Sequence, residues 1–507
     1  MGRKIAEMTP KFFIFGFGER CGKIGREIFE FLEMGISGVI LFQRNCSDPI
    51  QLWSTLRNLV EFSNRKLMIA VDQEGGEASH LRDGFTIGIS AMGIRAGNDP
   101  EYARRQAEVF SKELSTVGVN TIFAPVLDVN LPGNPVIGIR SFSDSPDDVV
   151  VYSSKFIEGL KKGKLKICVK HFPGHGPTRV DSHENLPRVW LKKEDYIKNH
   201  ISIFKRVLDA VGYDMVMTAH VLHPEFDEKP GTLSKVFLTD ILRNEFGFDG
   251  VIITDCLEMK AMSEVYGIEK ATVESFKAGA DLILLSHTPE YQMRAISALR
   301  DAVENHEIPE SKVKKSLERL EEFTETLPEF PHDVTAVLNL KENVHFEDEI
   351  SRRSIFHVSR CGDELPQLDG EDKFVMICFN VENNLLNMIL KEMKSRDLRP
   401  VLIQPDPEKV VEMDHEFLMA NIALIFTLVR SEQDVKRFKN MVHRIVEMKR
   451  NVIHVSLKNP YDLLEYEFVP QALATFGTTK TQISALMDVL TGKIHPSAIF
   501  PMRGAGI

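Results

Sequence analysis

Eight near-continuous apolar runs, separated by longer amphipathic stretches, fill the first two-thirds of the chain and constrain its fold more than any other feature. They are FFIFGF (12–17), GVILF (38–42), LMIAVDQ (67–73) and TIFAPVLDV (121–129), then KICVKHF (166–172), DMVMTAHV (214–221), GVIITDCL (250–257) and DLILLS (281–286). Runs apolar on both faces suit parallel strands covered on both sides. Helical spacing predicts helices at 24–34, 49–63, 99–117, 147–160, 192–210, 237–246 and 267–278, with further helices at 290–304 and 310–325. Eight strands alternating with helices predict a (β/α)₈ barrel. A doubly wound sheet would carry the same alternation, so the polar residues decide. Asp72, Asp128, Lys170, His171, His220 and Asp255 lie near the C-terminal ends of different runs, where a barrel collects its active-site groups.

Residues 327–345 (LPEFPHDVTAVLNLKENVH) interrupt this periodicity and read as a linker. The pattern then resumes, with strands expected at 373–380, 400–404, 422–429 and 452–457 and helices at 382–395, 432–449, 460–464 and 481–491. The expected fold is α/β, a TIM-like barrel over 1–326 followed by a smaller α/β sandwich domain over 346–507.

A chain of 507 residues calls for two domains. Its formal net charge of -11 argues against a general nucleic-acid surface. The six cysteines, Cys21, Cys46, Cys168, Cys256, Cys361 and Cys378, form no CxxC and several sit in apolar runs. They read as free thiols in a reducing compartment. The apolar run FFIFGF near the N-terminus lacks a following cleavage pattern, and no run reaches the length of a membrane span. A cytoplasmic protein without a membrane partner is expected.

GFGERCG (16–22) follows a strand but lacks the spacing of a dinucleotide-binding turn, and neither HExxH nor a P-loop occurs, so no cofactor is expected. The most informative segment is KHFPGHGPTRVDSHENLP (170–187), a strand that becomes a polar loop with His171, His175, Asp181 and His183. The cluster lacks the helical i,i+4 pairing of common zinc sites and a flexible loop would hold ligands poorly, so acid–base chemistry is preferred to a metal. Histidine, with an intrinsic pKa near 6.5, can give and take a proton near neutrality. Asp181, two residues before His183, can fix its tautomer and orientation. Asp255, where an apolar strand ends, suits either a nucleophile or a binder of a substrate hydroxyl. Glu258 suits a partner to it, a cap or a solvent-facing position. Asp72 can accept hydrogen bonds from vicinal hydroxyls, Arg140 can clamp an oxygen, and Lys170 with His171 can bracket the other ring edge. A concave site of this composition suits a neutral, hydroxyl-rich ligand.

The segments ILFQRN (40–45), VDQEGG (71–76), FAPVLDVN (123–130), VIGIRSFS (136–143), KHFPGHG with DSH (170–183), TAHV (218–221) and ITDCLEM (253–259) occur in an order that resembles glycoside hydrolase family 3, within it the bacterial β-N-acetylglucosaminidases of cell-wall turnover. The closing run KIHPSAIFP (493–501) is loosely similar to the end of the family's second domain. The resemblance implies a retaining exo-β-N-acetylglucosaminidase acting on cell-wall or chitin-derived saccharides, without cofactor or metal. Asp255 would be the nucleophile, forming a glycosyl-aspartate intermediate. His183 would be the general acid/base, held by Asp181. Asp72, Arg140, Lys170 and His171 would surround the N-acetylglucosamine ring. The family's β-glucosidases take a glutamate acid/base from elsewhere, and the DSH motif argues against that subgroup. Some relatives with a His–Asp pair use phosphate as acceptor, so phosphorolysis is the alternative within the family. A non-catalytic sugar-binding protein is the alternative outside it. The chain departs from the family after EGG, where basic residues are usual and Glu77 and His80 stand at or near those positions; Cys256 follows the expected nucleophile.

Overall fold

The computed structural model describes residues 6–18, 24–178, 185–404, 417, 419–449 and 451–502. Eight parallel strands form the first sheet: β1 (Phe13–Gly16), β2 (Gly38–Leu41), β3 (Met68–Val71), β4 (Thr121–Ile122), β5 (Lys166–Phe172), β6 (Met215–Thr218), β7 (Val251–Ile253) and β8 (Ile283–Leu285). Each pairs with its sequence neighbour, and β1 pairs with β8. A parallel bridge between Ile253 and Leu282 brings β7 against the start of β8 and closes the circle. The first sheet is therefore a (β/α)₈ barrel. All eight expected strands are present, several shortened. β4 is the most reduced, the chain leaving the ladder after Ile122 for the buried, mostly apolar segment that carries Asp128.

The helices lie at the expected places, and local chemistry fixes their ends. Asp48 accepts the N–H groups of Ile50 and Gln51, both at 2.9 Å, and Pro49 opens the helix Pro49–Ser63. Gly35, in the left-handed region at φ 100°, ends the helix Arg26–Met34 and frees the chain to enter β2. The strands' side chains are buried on both faces, with Ile14 on the face that lines the cavity and Val39, Ile69, Ile167 and Val216 on the other, all essentially unexposed.

The stretch 327–345 carries a short helix, Val334–Leu338, and the start of another, Val344–Ser354. The second domain is a six-stranded sheet of β9 (Phe356–Ser359), β10 (Phe374–Phe379), β11 (Val401–Ile403), β12 (Ile422–Thr427), β13 (Asn451–Ser456) and β14 (Gln471–Ala474). Its order is β11-β10-β12-β13-β14-β9, parallel throughout except for β9 against β14. Apolar layers cover both faces, one built around Phe438 and Tyr466, the other around Leu424 and Leu486. Neither β9 nor β14 was expected. The second domain rests on barrel loops: Ser143 Oγ donates to Pro501 O (2.8 Å), and Tyr461 OH to Asn130 Oδ1 (2.9 Å). Among the described residues, no helix is long and apolar enough to cross a membrane.

Candidate active site

The C-terminal ends of the barrel strands surround a cavity of about 620 Å³. Asp72, Arg140, Lys170, His171 and Asp255 all line it. Asp181 and His183 lie outside the described residues.

Lys170 stands at the centre of the floor. It sits on β5, where the pairing with β6 shifts register between Val169 and Phe172. Such an irregularity re-aims side chains, and Lys170 bridges instead to Val126, its carbonyl accepting the Leu127 N–H at 2.6 Å. Its side chain is 2% exposed. The ammonium group donates to Asp72 and lies 2.6 Å from Glu74 Oε1. Burial alone would lower the Lys170 pKa, but the carboxylates of Asp72 and Glu74 outweigh it and raise the pKa, so the amine stays charged.

Glu74 also receives Arg140, through Nε (2.9 Å) and Nη2 (2.8 Å). Burial would raise the Glu74 pKa, yet Arg140 and Lys170 hold it far below the usual carboxylate range. The two carboxylates and two cations match one another. Arg140 is thereby fixed as a planar, rigid donor at the cavity wall, and Asp72 stays partly exposed toward the cavity.

His171 is oriented from behind. Asp128, fully buried, accepts the His171 ring nitrogen Nδ1 at 2.7 Å, the His171 backbone N–H at 3.2 Å and the His175 backbone N–H at 2.5 Å. With the Nδ1 proton given to the carboxylate, Nε2 faces Arg140 Nη2 at 3.4 Å as an acceptor. The following loop turns back tightly: a Cβ on Gly176 would lie 1.7 Å from Val129 O, which only glycine avoids. His175, buried beside Thr178, is pushed down to about 4 by burial.

Asp255 follows β7 on the opposite wall. Its Oδ1 accepts the Cys256 N–H at 2.7 Å, and its own N–H points to Thr218 Oγ1 at 3.4 Å. His220, at the end of β6, braces the same turn. Its Nε2 donates to Cys256 O (3.0 Å), and its Nδ1 takes the hydrogen of Thr232 Oγ1 (2.7 Å). Glu258 takes the capping alternative. It accepts the N–H groups of His287 (2.9 Å) and Thr288 (3.2 Å) and the Thr288 hydroxyl (2.9 Å), at the start of the helix Pro289–Glu304.

Sequence reasoning missed three of the cavity's groups. Glu74 lies inside the quoted VDQEGG, but nothing local ties it to Arg140, 66 positions away. Lys458 and Asn459 come from the second domain and line the cavity from above. Lys458 forms an ion pair with Glu77, and Asn459 Oδ1 accepts the Ile139 N–H at 3.1 Å. His80 also lines the cavity, against Phe42 at 5.1 Å between ring centroids. Among the described residues, no group of three or more His, Cys, Asp or Glu could hold a metal ion.

Comparison with known proteins agrees with this geometry. The chain is 30% identical over 387 residues to beta-hexosaminidase A of Pseudoalteromonas piscicida, a match spanning 69% of this chain and 64% of that protein. It is 36% identical over 266 residues to a beta-hexosaminidase of Neisseria meningitidis serogroup B, covering 51% of this chain and 73% of that one. Among solved structures, the glycoside hydrolase family 3 beta-N-acetylglucosaminidase from Paenibacillus sp. str. FPU-7 superposes with a TM-score of 0.83 at 28% identity over 98% of both chains. Residues 3–323 match the glycosyl hydrolase family 3 N-terminal domain. The chain is a glycoside hydrolase and belongs to glycosyl hydrolase family 3.

Proposed function

We propose that the chain is a retaining exo-β-N-acetylglucosaminidase that removes terminal β-linked N-acetylglucosamine from small saccharides. The observation that carries this reading is the pairing of two walls in one cavity. Asp72, Lys170, Arg140 and His171 offer fixed donors and acceptors on one side, and Asp255 stands on the other. Further support comes from the beta-N-acetylglucosaminidase of Paenibacillus, which shares the architecture along nearly its whole length.

In this reading the hydroxyls of one sugar ring lie against Asp72, Lys170, Arg140 and His171. The Asp255 carboxylate attacks the anomeric carbon, and the bond to the leaving oxygen breaks as that oxygen takes a proton from His183. Asp181 holds the imidazole in orientation. His183 then removes a proton from water as the water displaces Asp255, and the sugar leaves with its β configuration kept. Asp255 is suited to attack because its turn is braced, by His220 on Cys256 O and by the Cys256 N–H on its own Oδ1. The saccharide would derive from cell wall or chitin. Buried thiols such as Cys168 and Cys378 favour a reducing, cytoplasmic setting.

Release of 4-nitrophenol from its β-N-acetylglucosaminide tests the reading, with the anomer of the product followed by NMR in the presence and absence of phosphate. A β-configured N-acetylglucosamine product is expected. An α product, or turnover of the β-glucoside in preference, would overturn it; a sugar phosphate formed only with phosphate present would replace hydrolysis by phosphorolysis.

A further inference from the structure

Arg140 and Glu74 are joined by two hydrogen bonds in the cavity, and each stands at or beside a short turn. Arg140 ends the 3₁₀ turn Gly138–Arg140, and Glu74 precedes the 3₁₀ turn Gly76–Ala78. The second domain reaches both of them with two consecutive residues.

Asn459, 2% exposed, accepts the Ile139 N–H through Oδ1, one residue before Arg140. The contact is made at backbone range: Gly138 adopts φ 44°, and a Cβ there would sit 2.3 Å from that same oxygen. Lys458 pairs with Glu77, three residues after Glu74. The segment bearing them is itself fixed within the second domain. The Leu457 N–H donates to Thr427 O at 3.0 Å, and Ser456 Oγ donates to Asn459 O at 3.2 Å. It is fixed to the barrel too, through Tyr461 OH on Asn130.

We propose that Lys458 and Asn459 are positioning residues through which the second domain holds the Arg140–Glu74 pair in register for the sugar, so that the barrel's pocket is complete only with the second domain in place. This rests on the reading of the cavity as a sugar site. The physical reason is geometric. A charged fork fixed at two turns binds hydroxyls without ordering itself first, whereas a loosened one must be ordered on binding.

The test uses the full chain and 4-nitrophenyl β-N-acetylglucosaminide, with thermal unfolding followed in parallel. Asn459→Ala and Lys458→Met should each raise KM about fivefold to tenfold, the effect of one lost hydrogen bond or ion pair, while kcat changes less than about threefold. Lys458→Glu should do more, because it sets two carboxylates against each other. Glu77→Lys combined with Lys458→Glu should recover most of the lost kcat/KM. Should Asn459→Ala fail to fold, Lys458→Met, at a partly exposed side chain, carries the same test. Wild-type KM in a folded Lys458→Met overturns the proposal, as does a lowered unfolding temperature with unchanged kinetics, which marks a merely structural contact. A charge reversal that recovers nothing also overturns it, since Lys458 would then act on the substrate itself. An inactive unchanged chain removes the sugar reading first, and the positioning role with it.

Discussion

Arg140 grips Glu74 with two parallel hydrogen bonds, 2.9 and 2.8 Å long, on a carboxylate that Lys170 also contacts at 2.6 Å. Glu74 therefore touches both cations of the cavity floor while Asp72 touches one. The two cations are thus set by one carboxylate that is itself almost fully buried.

Glu74→Gln tests this arrangement. The substitution keeps the shape but leaves Arg140 without its buried counter-charge and Lys170 with Asp72 alone. Breaking one member of a buried ion pair costs about 3–5 kcal/mol. We expect a clear fall in the unfolding temperature and a loss of kcat/KM of about 10²-fold or more, as Arg140 turns away from its position. A variant with unchanged stability and activity would remove Glu74 from the machinery.

Asp255→Ala is expected to lower turnover by about 10⁴-fold or more, the scale of losing a covalent nucleophile. The fold should be intact, because the Asp255 side chain is only half-buried and its turn keeps the His220 contact to Cys256 O. The measurement is steady-state release of nitrophenol beside a circular dichroism spectrum. Near-normal turnover in a folded variant would refute the nucleophile assignment.

The legible parts of this fold are those whose signal is local. The barrel strands show in the sequence because both faces of each are covered, which makes runs such as GVILF and DLILLS apolar without a break. β9 and β14 carry no such run. FHVS is short, with three of its four residues partly exposed, and QALA holds one large apolar side chain. The site divides in the same way. Asp72, Lys170, His171 and Asp255 stand out as polar residues ending apolar strands. Glu74 matters through Arg140, and Lys458 through Glu77 across 381 positions. Charge pairs of such separation leave no periodicity for a single sequence to display. Glu258 shows the converse: its position allowed a partner, a cap or a solvent-facing residue, and only the neighbouring helix start decides for the cap.

Stability should fall as pH rises through the region between the barrel and the helix Val344–Ser354. Glu113 is buried, accepting the Thr86 N–H (2.8 Å) and hydroxyl (2.6 Å), while Glu347 close by accepts the Gly88 N–H (2.6 Å). Burial pushes the Glu113 carboxyl up to about 7 from its ordinary 4.5. Between those values the folded protein holds a proton that the unfolded chain has lost, so the unfolded state binds fewer protons and stability declines with rising pH. The contribution is complete below 4.5 and gone above about 7. Glu113→Gln should flatten this part of the stability curve, as measured by urea unfolding at intervals from pH 5 to pH 8. An unchanged slope would show that Glu113 titrates normally.

His183→Ala addresses the part of the mechanism that lies outside the described residues. If His183 protonates the leaving oxygen, the loss on removing it depends on how much protonation that oxygen needs. General acid catalysis contributes about 10²–10⁴-fold. An aryl substrate with a good leaving group, such as nitrophenolate, should therefore lose less in glycosylation than a sugar alcohol. Deglycosylation should suffer with every substrate, because the same histidine activates water, so the glycosyl-aspartate should accumulate on activated substrates and appear as a burst of nitrophenol. Asp181→Ala should give a milder defect of the same kind, since the imidazole remains without its orienting carboxylate. The apparent pKa of the histidine should then fall, moving the limb of the pH–rate profile that reports it. A leaving-group series on both variants is decisive. An equal loss on every substrate with no burst would leave His183 a binding or structural residue, and the proton donor would have to be sought among other groups, such as the carboxylate of Glu77 that lines the cavity.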